Sequence, residues 1–249
     1  MRNVIGIIPA RYDSERLPGK VLHKIGRITI LESVYQHARR AKTLDRLIIA
    51  TDSNIIAKEA RHFGAEVFIT SSDCTCGTER VAEVAEKISG KIFVNIQADE
   101  PLVPEEAIDI PVKEMLKDRK IVCSTPATRI RTEGELYNPD ITKVVMDRNG
   151  FALFFSASLL PFPRVYFTKD RPFFKKVDFF KHIGVYAFRK KFLLKFKQLP
   201  RGPLEKFEQL EQLRILENGY RIKVVVISKN SVSIDTLKDL NKLKIVGHG

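Results

Sequence analysis

The residues best suited to chemistry in this sequence fall in two polar segments, each of which follows a short apolar run. The first segment carries Arg11, Arg16 and Lys20 after the apolar run 4–8. Guanidinium groups bind phosphate oxygens through paired hydrogen bonds, and a lysine ammonium group adds a compact positive charge. An ordinary solvated basic loop is the alternative, but a position at the carboxyl end of a strand favours phosphate binding.

The second segment begins just after the apolar run 92–96 and contains Asp99. An aspartate at a strand end suits Mg²⁺, which proteins hold through one or two carboxylates while substrate phosphates supply further oxygens. Asp235 is the candidate partner carboxylate, but an Asp-Thr pair before a helix is equally typical of an N-cap. The spacing leaves both interpretations of Asp235 open.

Several other kinds of site are disfavoured by their motifs. Lys20 is followed by Val21, and the first glycine of a P-loop is missing; no G-x-G-x-x-G motif follows the first strand either. Cys74 and Cys76 have no second pair at the spacing of zinc ligands, and the G-x-S-x-G motif of hydrolases is absent. Phosphate binding with an oxygen-liganded metal therefore remains the best-supported chemistry.

Strands and helices alternate through the first half of the chain at the spacing of a parallel sheet. This pattern predicts an α/β fold with a doubly wound, mostly parallel sheet that binds ligands beyond the carboxyl ends of its strands. Pro9 is expected to end the first strand, Thr78 to cap a helix, and Pro111 to break or kink another. The predicted strands are 3–8, 47–51, 67–70, 92–96 and 121–127, and the predicted helices are 31–41, 54–63, 78–88 and one beginning near 104.

The pattern changes after about residue 140, where we predict a smaller mixed lobe. Two short strands, 142–146 and 151–156, flank the turn sequence DRNG, which is a strong hairpin signal. A long loop over 159–181, a strand over 182–188 and a helix from Pro203 to 216 follow. His182 is expected to be a structural hydrogen-bonding residue, and Glu211 and Gln212 to lie on the solvated face of that helix. A strand over 221–227 and a helix from residue 236 end the predicted elements.

The charge of the chain suits anionic partners. Its 249 residues include 43 Lys and Arg against 30 Asp and Glu, a net charge of +13. Twelve basic residues and two acids (Asp170 and Asp178) lie between residues 164 and 201, interleaved with aromatics, a balance of +10. Nucleic-acid surfaces have this composition, but core phenylalanines alternating with solvated lysines explain it better, because no nucleic-acid-binding motif accompanies it. We therefore expect no nucleic-acid partner.

The compartment is predicted from cysteine usage and hydropathy. Three cysteines are too few for a disulfide framework, which indicates a reducing compartment. No apolar run approaches the roughly 18 residues that a membrane span needs, and Arg11 interrupts the stretch where a signal would be cleaved. The sequence predicts a soluble cytoplasmic protein with no membrane partner.

The motifs together resemble one family, the 3-deoxy-D-manno-octulosonate (Kdo) cytidylyltransferases. The resemblance covers essentially the whole chain in the family's order. It departs at Ala98, where the family usually has glycine, and at Cys76, where serine is common. Its segments are IPARYDSERLPGK (8–20), GTER (77–80), QADEP (97–101), KHIGVY (181–186), PLE (203–205), LEQLR (210–214), and DT (235–236) with DL (239–240).

The resemblance implies a Rossmann-like nucleotidyltransferase fold and the reaction CTP + Kdo → CMP-Kdo + pyrophosphate, which activates the sugar for lipopolysaccharide assembly. It assigns Mg²⁺ to Asp99 and Asp235, with Arg11 and Lys20 as further catalytic groups. The CTP-binding residues that it implies are Pro9, Ala10, Arg11, Arg16, Lys20, Thr78 and Arg80, and the Kdo-binding residues are Gln97, Arg164, His182, Tyr186, Glu211 and Gln212.

One domain over 1–249 is expected, with a nucleotide-binding half at about 1–130. A sugar-binding and dimerisation lobe follows at about 140–218, and a C-terminal strand and helix at about 220–245 return to the metal site. The family implies a homodimer, for which the segment from Phe173 to Phe180 is the candidate interface. Two rival functions stay open, namely nucleotidyl transfer to a different sugar acid and nucleic-acid binding through the basic segment 164–201.

Overall fold

A ten-stranded mixed sheet forms the centre of the computed structural model, which describes residues 3–13, 17–164, 177–231, 234 and 239–240. Among these residues no helix combines the length and hydropathy of a membrane span. The strands of the sheet are β1 (Val4–Ala10), β4 (Arg46–Thr51), β5 (Glu66–Ile69), β6 (Ile92–Ile96), β7 (Cys123–Arg129), β8 (Lys143–Met146), β9 (Ala152–Ser156), β10 (Phe180–His182), β11 (Val185–Arg189) and β12 (Lys223–Ile227), and a separate pair is β2 (Lys24–Ile25) with β3 (Ile28–Thr29).

The order of the strands is β5-β4-β1-β6-β11-β7-β10-β8-β9, and β12 pairs with β7. Parallel pairings join β5, β4, β1 and β6, as well as β7 and β12, whereas β11 lies antiparallel between β6 and β7. The predicted α/β class with a mostly parallel sheet is confirmed. Strands from the second half of the chain extend this same sheet and include the predicted β8–β9 hairpin, so the predicted mixed lobe is continuous with it.

Helices cover both faces of the sheet and bury two apolar clusters against it. One cluster includes Ile8, Val34, Ile96 and Val112, and the other includes Ile7, Val84, Phe93 and Phe188. Neighbouring residues of β1 and β6 enter opposite clusters because side chains alternate across a strand. The helices are α1 (Ile30–Ala38), α2 (Asn54–His62), α3 (Gly77–Lys87), α4 (Glu105–Lys117), α5 (Glu133–Tyr137), α6 (Lys190–Phe196), α7 (Pro203–Glu208) and α8 (Leu213–Glu217).

Three predicted boundaries in the first half are wrong. Strand β1 continues through Pro9 to Ala10, because pairing with β6 stops at Ile7 and the missing N–H of proline removes no bond on that side. The N-cap of α3 is Cys76, whereas Thr78 lies within the helix. Helix α4 runs unbroken through Pro111, since its buried face packs on the sheet and offsets the lost hydrogen bond.

Two predicted elements in the second half are divided. The strand predicted over 182–188 is interrupted at Ile183 and Gly184, where the chain passes from pairing along β7 to pairing with β6. The helix predicted from Pro203 ends at Glu208, because Gln209 takes a left-handed conformation (φ 55°), and α8 begins only at residue 213. The prediction of one helix from Pro203 to 216 is therefore wrong, and Phe207 in α7 is 88% exposed.

The structure describes only the end of the candidate dimer interface, residues 177–180. Phe179 is buried against Ile130 and Leu136, and Phe180 belongs to β10 and packs against the sheet cluster. Phe173 lies outside the described residues. The phenylalanines at 179 and 180 contribute to packing within the chain rather than to an exposed patch.

Candidate active site

A cavity of about 410 Å³ opens beyond the carboxyl ends of β1 and β6, where the sheet topology predicts a ligand. Its walls come from the loop after β1, the segment before α3, the loop after β6 and the region around α7. Seven of the residues implied by the sequence line it, namely Pro9, Arg11, Lys20, Arg80, Gln97, Asp99 and Glu211.

Lys20 and Asp99 form an ion pair inside this cavity. The distance from Lys20 Nζ to Asp99 Oδ2 is 2.7 Å, and the two side chains are 12% and 28% exposed. Gly19 precedes Lys20 with φ 62° and donates its N–H to Tyr12 O at 3.0 Å, which joins the two described ends of the basic loop. A positive and a negative group thus lie within reach of the same ligand.

The loop that carries Asp99 is fixed by bonds on both sides. Asp99 O accepts the N–H of Ile234 at 2.9 Å, and the carboxylate of Glu100 accepts hydrogen bonds from Gly184 N and Ser231 Oγ. Burial raises the pKa of Glu100 to about 7 despite these hydrogen bonds. Asp235 follows Ile234 in the sequence but lies outside the described residues, as does Arg16.

Arg80 lines the cavity but is already paired within the protein. Its guanidinium donates to Asp52 Oδ2 at 2.8 Å, to the hydroxyl of Thr70 and to Ser71 O at 3.3 Å. Only 4% of Arg80 is exposed. Asp52 and Thr70 fix the direction in which the guanidinium points, and no local pattern in the sequence predicted them as partners of Arg80.

A buried ionic network supports the wall formed by residues 74–76. Arg214 donates to both carboxylate oxygens of Glu205 at 2.7 and 2.8 Å and to Glu79 Oε1 at 3.0 Å. Glu79 Oε2 in turn accepts the N–H and the hydroxyl of Thr75, each at 2.8 Å. Arg214 and Glu205 are each 2% exposed, and the Glu79 side chain is 16% exposed, so this network links α3 to α7 and α8 largely through buried groups. Glu79, Glu205 and Arg214 were not predicted as site residues, although the motifs GTER, PLE and LEQLR contain them.

Glu211 projects into the cavity from the break between α7 and α8, so the prediction of a solvated helix face is wrong. Its carboxylate accepts the Thr78 hydroxyl at 2.6 Å, and the same hydroxyl accepts an N–H of Asn95 at 3.1 Å. The thiol of Cys76 also faces Glu211, and burial together with that negative charge raises the pKa of the thiol. Asn95 Oδ1 has no hydrogen-bond partner within the described part of the chain. Asn95 is a further residue that the sequence did not indicate.

Several implied residues lie beneath or beyond the cavity. Ala10, Thr78, Tyr186 and Gln212 are buried, at 1 to 4% exposure. None of these four residues lines the cavity. Arg164 is exposed and precedes the undescribed segment 165–176.

His182 lines a separate cleft of about 350 Å³. Its Nε2 lies 2.8 Å from the hydroxyl of Thr125, and its ring contacts Phe155 and Tyr186. Burial lowers the pKa of His182 to about 3, so the imidazole is neutral at physiological pH. The expected structural hydrogen bond is present.

The cavity fits a divalent cation that also binds substrate. Asp99 is a partly exposed carboxylate whose present partner is itself a cation, Lys20. Within the described residues, no group of three or more acidic, histidine or cysteine side chains could hold a metal alone. The donor set therefore suits Mg²⁺ bound by few carboxylates, with phosphate oxygens completing its coordination.

Comparison with known proteins identifies the class of enzyme to which this fold belongs. The cytidylyltransferase family model matches residues 5–224. A solved 4-diphosphocytidyl-2C-methyl-D-erythritol synthase from Anaerococcus prevotii shares the fold at 15% identity, with a TM-score of 0.61 over 100% of this chain and 99% of that one. The class is therefore that of the α/β cytidylyltransferases.

Proteins with higher sequence identity to this chain identify the family within that class. The 3-deoxy-manno-octulosonate cytidylyltransferase of Solibacter usitatus is 44% identical over 97% of this chain and 93% of its own length. That of Syntrophotalea carbinolica is 42% identical over 97% of both. A solved CMP:2-keto-3-deoxy-manno-octonic acid synthetase complexed with CTP is 31% identical, with a TM-score of 0.90 over 99% of this chain and 98% of that one. The chain belongs to the 3-deoxy-manno-octulosonate cytidylyltransferase family.

Proposed function

We propose that this protein transfers CMP from CTP to Kdo, giving CMP-Kdo and pyrophosphate. The single observation that carries the proposal is the placement of Arg11, Lys20 and Asp99 around one cavity at the strand ends. That arrangement pairs phosphate-binding cations with a metal-binding carboxylate in a chain that belongs to this family. Activation of the sugar for lipopolysaccharide assembly is the corresponding physiological role.

The cations of the cavity would bind the triphosphate and stabilise the charge that develops on departing pyrophosphate. Arg11 is exposed at the cavity and is available to form a bidentate contact with phosphate oxygens. Lys20 would move its ammonium group from Asp99 to the phosphates when CTP binds. Pro9 and Ala10 would hold the nucleotide against the end of β1, and Arg16 would add to the same loop. Arg80, held by Asp52, would contribute a fixed donor rather than a mobile charge.

Asp99, with Asp235 as partner, would hold the Mg²⁺ that this chemistry requires. When bound, Mg²⁺ supplies charge neutralisation at the α-phosphate and lowers the pKa of the attacking anomeric 2-hydroxyl of the sugar. No dedicated general base is then needed. The positions of Asp99 and Lys20 support this assignment, because their direct ion pair makes one carboxylate exchangeable between two cations.

The sugar would enter from the side of Gln97 and Glu211, which line the same cavity. The Thr78 hydroxyl and Asn95 orient Glu211, so its carboxylate is fixed as an acceptor for sugar hydroxyls. Tyr186 and Gln212 would support this wall, and His182 would act as a neutral hydrogen-bonding group. Arg164 is assigned to the sugar carboxylate, for which its planar pair of donors is suited.

The assembly and compartment belong to the same proposal. We assign a homodimer and a cytoplasmic location, and expect neither nucleic-acid nor membrane partners. The free thiols of Cys74, Cys76 and Cys123 support a reducing compartment. Exposed apolar residues such as Leu153 and Phe162 support a surface covered by a second chain.

Pyrophosphate release tests the reaction directly. Purified protein is incubated with CTP and Mg²⁺, with and without Kdo, and ATP, GTP and UTP serve as nucleotide controls. Release that requires both CTP and Kdo is the expected result. Release with CTP and a different sugar acid would replace the sugar assignment, whereas steeply salt-dependent binding to DNA or RNA without any release would favour the nucleic-acid alternative.

A further inference from the structure

Glu100 is a buried carboxylate that does not line the cavity yet lies next to Asp99 in the loop after β6. It is 6% exposed, and each of its oxygens accepts a hydrogen bond from a different part of the chain. Gly184 N donates to Oε1 at 2.7 Å, and Ser231 Oγ donates to Oε2 at 2.6 Å. A buried carboxylate that joins two distant segments acts as a fixed point of the fold.

The two segments that Glu100 holds also bind the backbone of its own loop. Gly184 O accepts the N–H of Gln97 at 3.4 Å, and Ile234 donates its N–H to Asp99 O at 2.9 Å. The loop is thus bonded on one side to the interruption between β10 and β11, and on the other side to the chain that follows β12. The backbone of Asp99 accepts one of these hydrogen bonds itself, and the other lies two residues before it, at Gln97.

The close approach of Gly184 to this loop depends on the absence of a side chain. A Cβ at position 184 would lie 2.7 Å from Glu100 Oε1 and 2.8 Å from Gln97 Cγ. Both distances are shorter than van der Waals contact, so any larger residue would displace the side chains of Glu100 and Gln97 from these positions. The requirement for glycine here is spatial and comes from the hydrogen bond to Glu100.

We infer that Glu100 is a positioning residue that sets the place of the Asp99 carboxylate in the cavity. The inference rests on the proposed function, in which Asp99 binds the metal ion. Loss of the Glu100 carboxylate would leave the donors of Gly184 and Ser231 without their acceptor, and backbone hydrogen bonds alone would then hold the loop to these two segments. Mutation of a residue that orients a metal ligand typically lowers metal affinity by about 10–100-fold.

The test compares Glu100→Ala and Glu100→Gln with two reference variants. Glu100→Gln keeps one acceptor for Gly184 and offers Ser231 an amide in place of the carboxylate oxygen. Ser231→Ala removes only one of the two donors and keeps the inference testable where Glu100→Ala fails to fold. Glu105→Gln is the matched control, because Glu105 contacts Lys229 in the same chain segment at 3.3 Å but lies on the surface.

Two quantities are measured for each variant. The first is the Mg²⁺ concentration that gives half-maximal pyrophosphate release, together with kcat at saturating Mg²⁺. The second is hydrogen–deuterium exchange of peptides containing Ile234, in protein free of metal and nucleotide. Glu100→Ala should raise the required Mg²⁺ concentration about tenfold with little change in kcat, and should speed exchange at Ile234. Ser231→Ala and Glu100→Gln should show smaller shifts in the same direction, and Glu105→Gln none.

Unchanged Ile234 exchange and an unchanged Mg²⁺ requirement in both Glu100→Ala and Ser231→Ala would overturn the inference. A fall in kcat with no shift in the Mg²⁺ requirement would overturn it as well, because that is the pattern of a general structural defect. Asp99→Asn separates this outcome from failure of the proposed function. If Asp99→Asn keeps the normal Mg²⁺ requirement, the metal assignment of Asp99 fails, whereas the exchange at Ile234 still reports the attachment by Glu100.

Discussion

Two ionic clusters of this protein contrast in exposure and in partners. The Lys20–Asp99 ion pair lies in the cavity and both of its side chains are partly exposed, whereas Arg214 is enclosed with Glu205 and Glu79. A partly exposed pair can exchange its partners for ligand atoms at little cost, whereas a buried network cannot lose one member without stranding a charge. The network around Arg214 therefore makes one wall of the cavity rigid, whereas Lys20 and Asp99 can exchange each other for ligand atoms.

The largest expected effect comes from breaking the buried network. Arg214→Met should lower the free energy of unfolding by about 3–5 kcal/mol, because Glu205 and Glu79 lose their buried partner. Urea denaturation measures this change. Arg201→Met is the control, since Arg201 contacts the same Glu205 at 3.1 Å from a side chain that is 45% exposed, and the expected change is below about 1 kcal/mol. Equal changes in the free energy of unfolding for the two variants would show that buried Arg214 stabilises the fold no more than exposed Arg201 does.

Asp99→Asn should reduce turnover by a factor on the order of a hundred or more while leaving the free energy of unfolding nearly unchanged. The amide keeps the size of the side chain but loses the charge that holds a cation. Steady-state pyrophosphate release measures turnover, and the urea midpoint provides the control. Normal turnover at low Mg²⁺ would exclude Asp99 as a metal ligand.

Because the imidazole of His182 is neutral in the folded protein, we expect the free energy of unfolding to fall in acid. Because burial lowers its pKa from 6.5 to about 3, the unfolded chain binds more protons than the folded one between these values. Stability from this group is therefore fully present above pH 6.5 and falls as the pH is lowered towards 3, by about 1–2 kcal/mol between pH 6.5 and 5. Unfolding of the wild type and of His182→Asn over this pH range measures the difference, which vanishes if His182 titrates normally in the folded protein.

Lys20→Met should affect metal and nucleotide in opposite directions. Removing the ammonium group from Asp99 frees the carboxylate, so Mg²⁺ should bind more tightly in the absence of CTP, by a factor of about three to ten. CTP should bind more weakly, because the phosphates lose a cation. Calorimetric titration of each ligand measures both changes. Weaker binding of both ligands would show that Lys20 does not compete with the metal.

The smallest expected effect concerns the orientation of Glu211. Thr78→Val removes the hydroxyl that links Asn95 to Glu211 while keeping the shape of the side chain. The KM for Kdo should rise about three- to tenfold with little change in the KM for CTP, because a lost hydrogen bond of this kind contributes about 1 kcal/mol. A larger rise in the KM for CTP than in the KM for Kdo would indicate that Glu211 contacts the nucleotide and not the sugar.

Local patterns in the sequence predicted the parts of the cavity that follow from strand order. Arg11, Lys20 and Asp99 come together because the loops after β1 and β6 both follow the carboxyl ends of neighbouring parallel strands. The α/β class and the β8–β9 hairpin followed from hydrophobic periodicity and a turn sequence.

The partners that hold these groups could not be predicted in this way. Arg80 pairs with Asp52 across 28 residues, Arg214 with Glu79 across 135, and Thr78 with Glu211 across 133. Such pairs depend on tertiary packing, which leaves no local spacing in the sequence. The errors at Pro9 and Pro111 have the same origin, since packing and strand pairing determined whether each proline ended its element.

Calorimetry can show whether Asp99 binds the metal ion that accompanies CTP. The Kd of CTP is measured with and without Mg²⁺ for the wild type and for Asp99→Asn. We expect Mg²⁺ to lower the Kd of CTP for the wild type by about tenfold or more, and Asp99→Asn to lose most of this gain. An unchanged gain in Asp99→Asn would contradict the account.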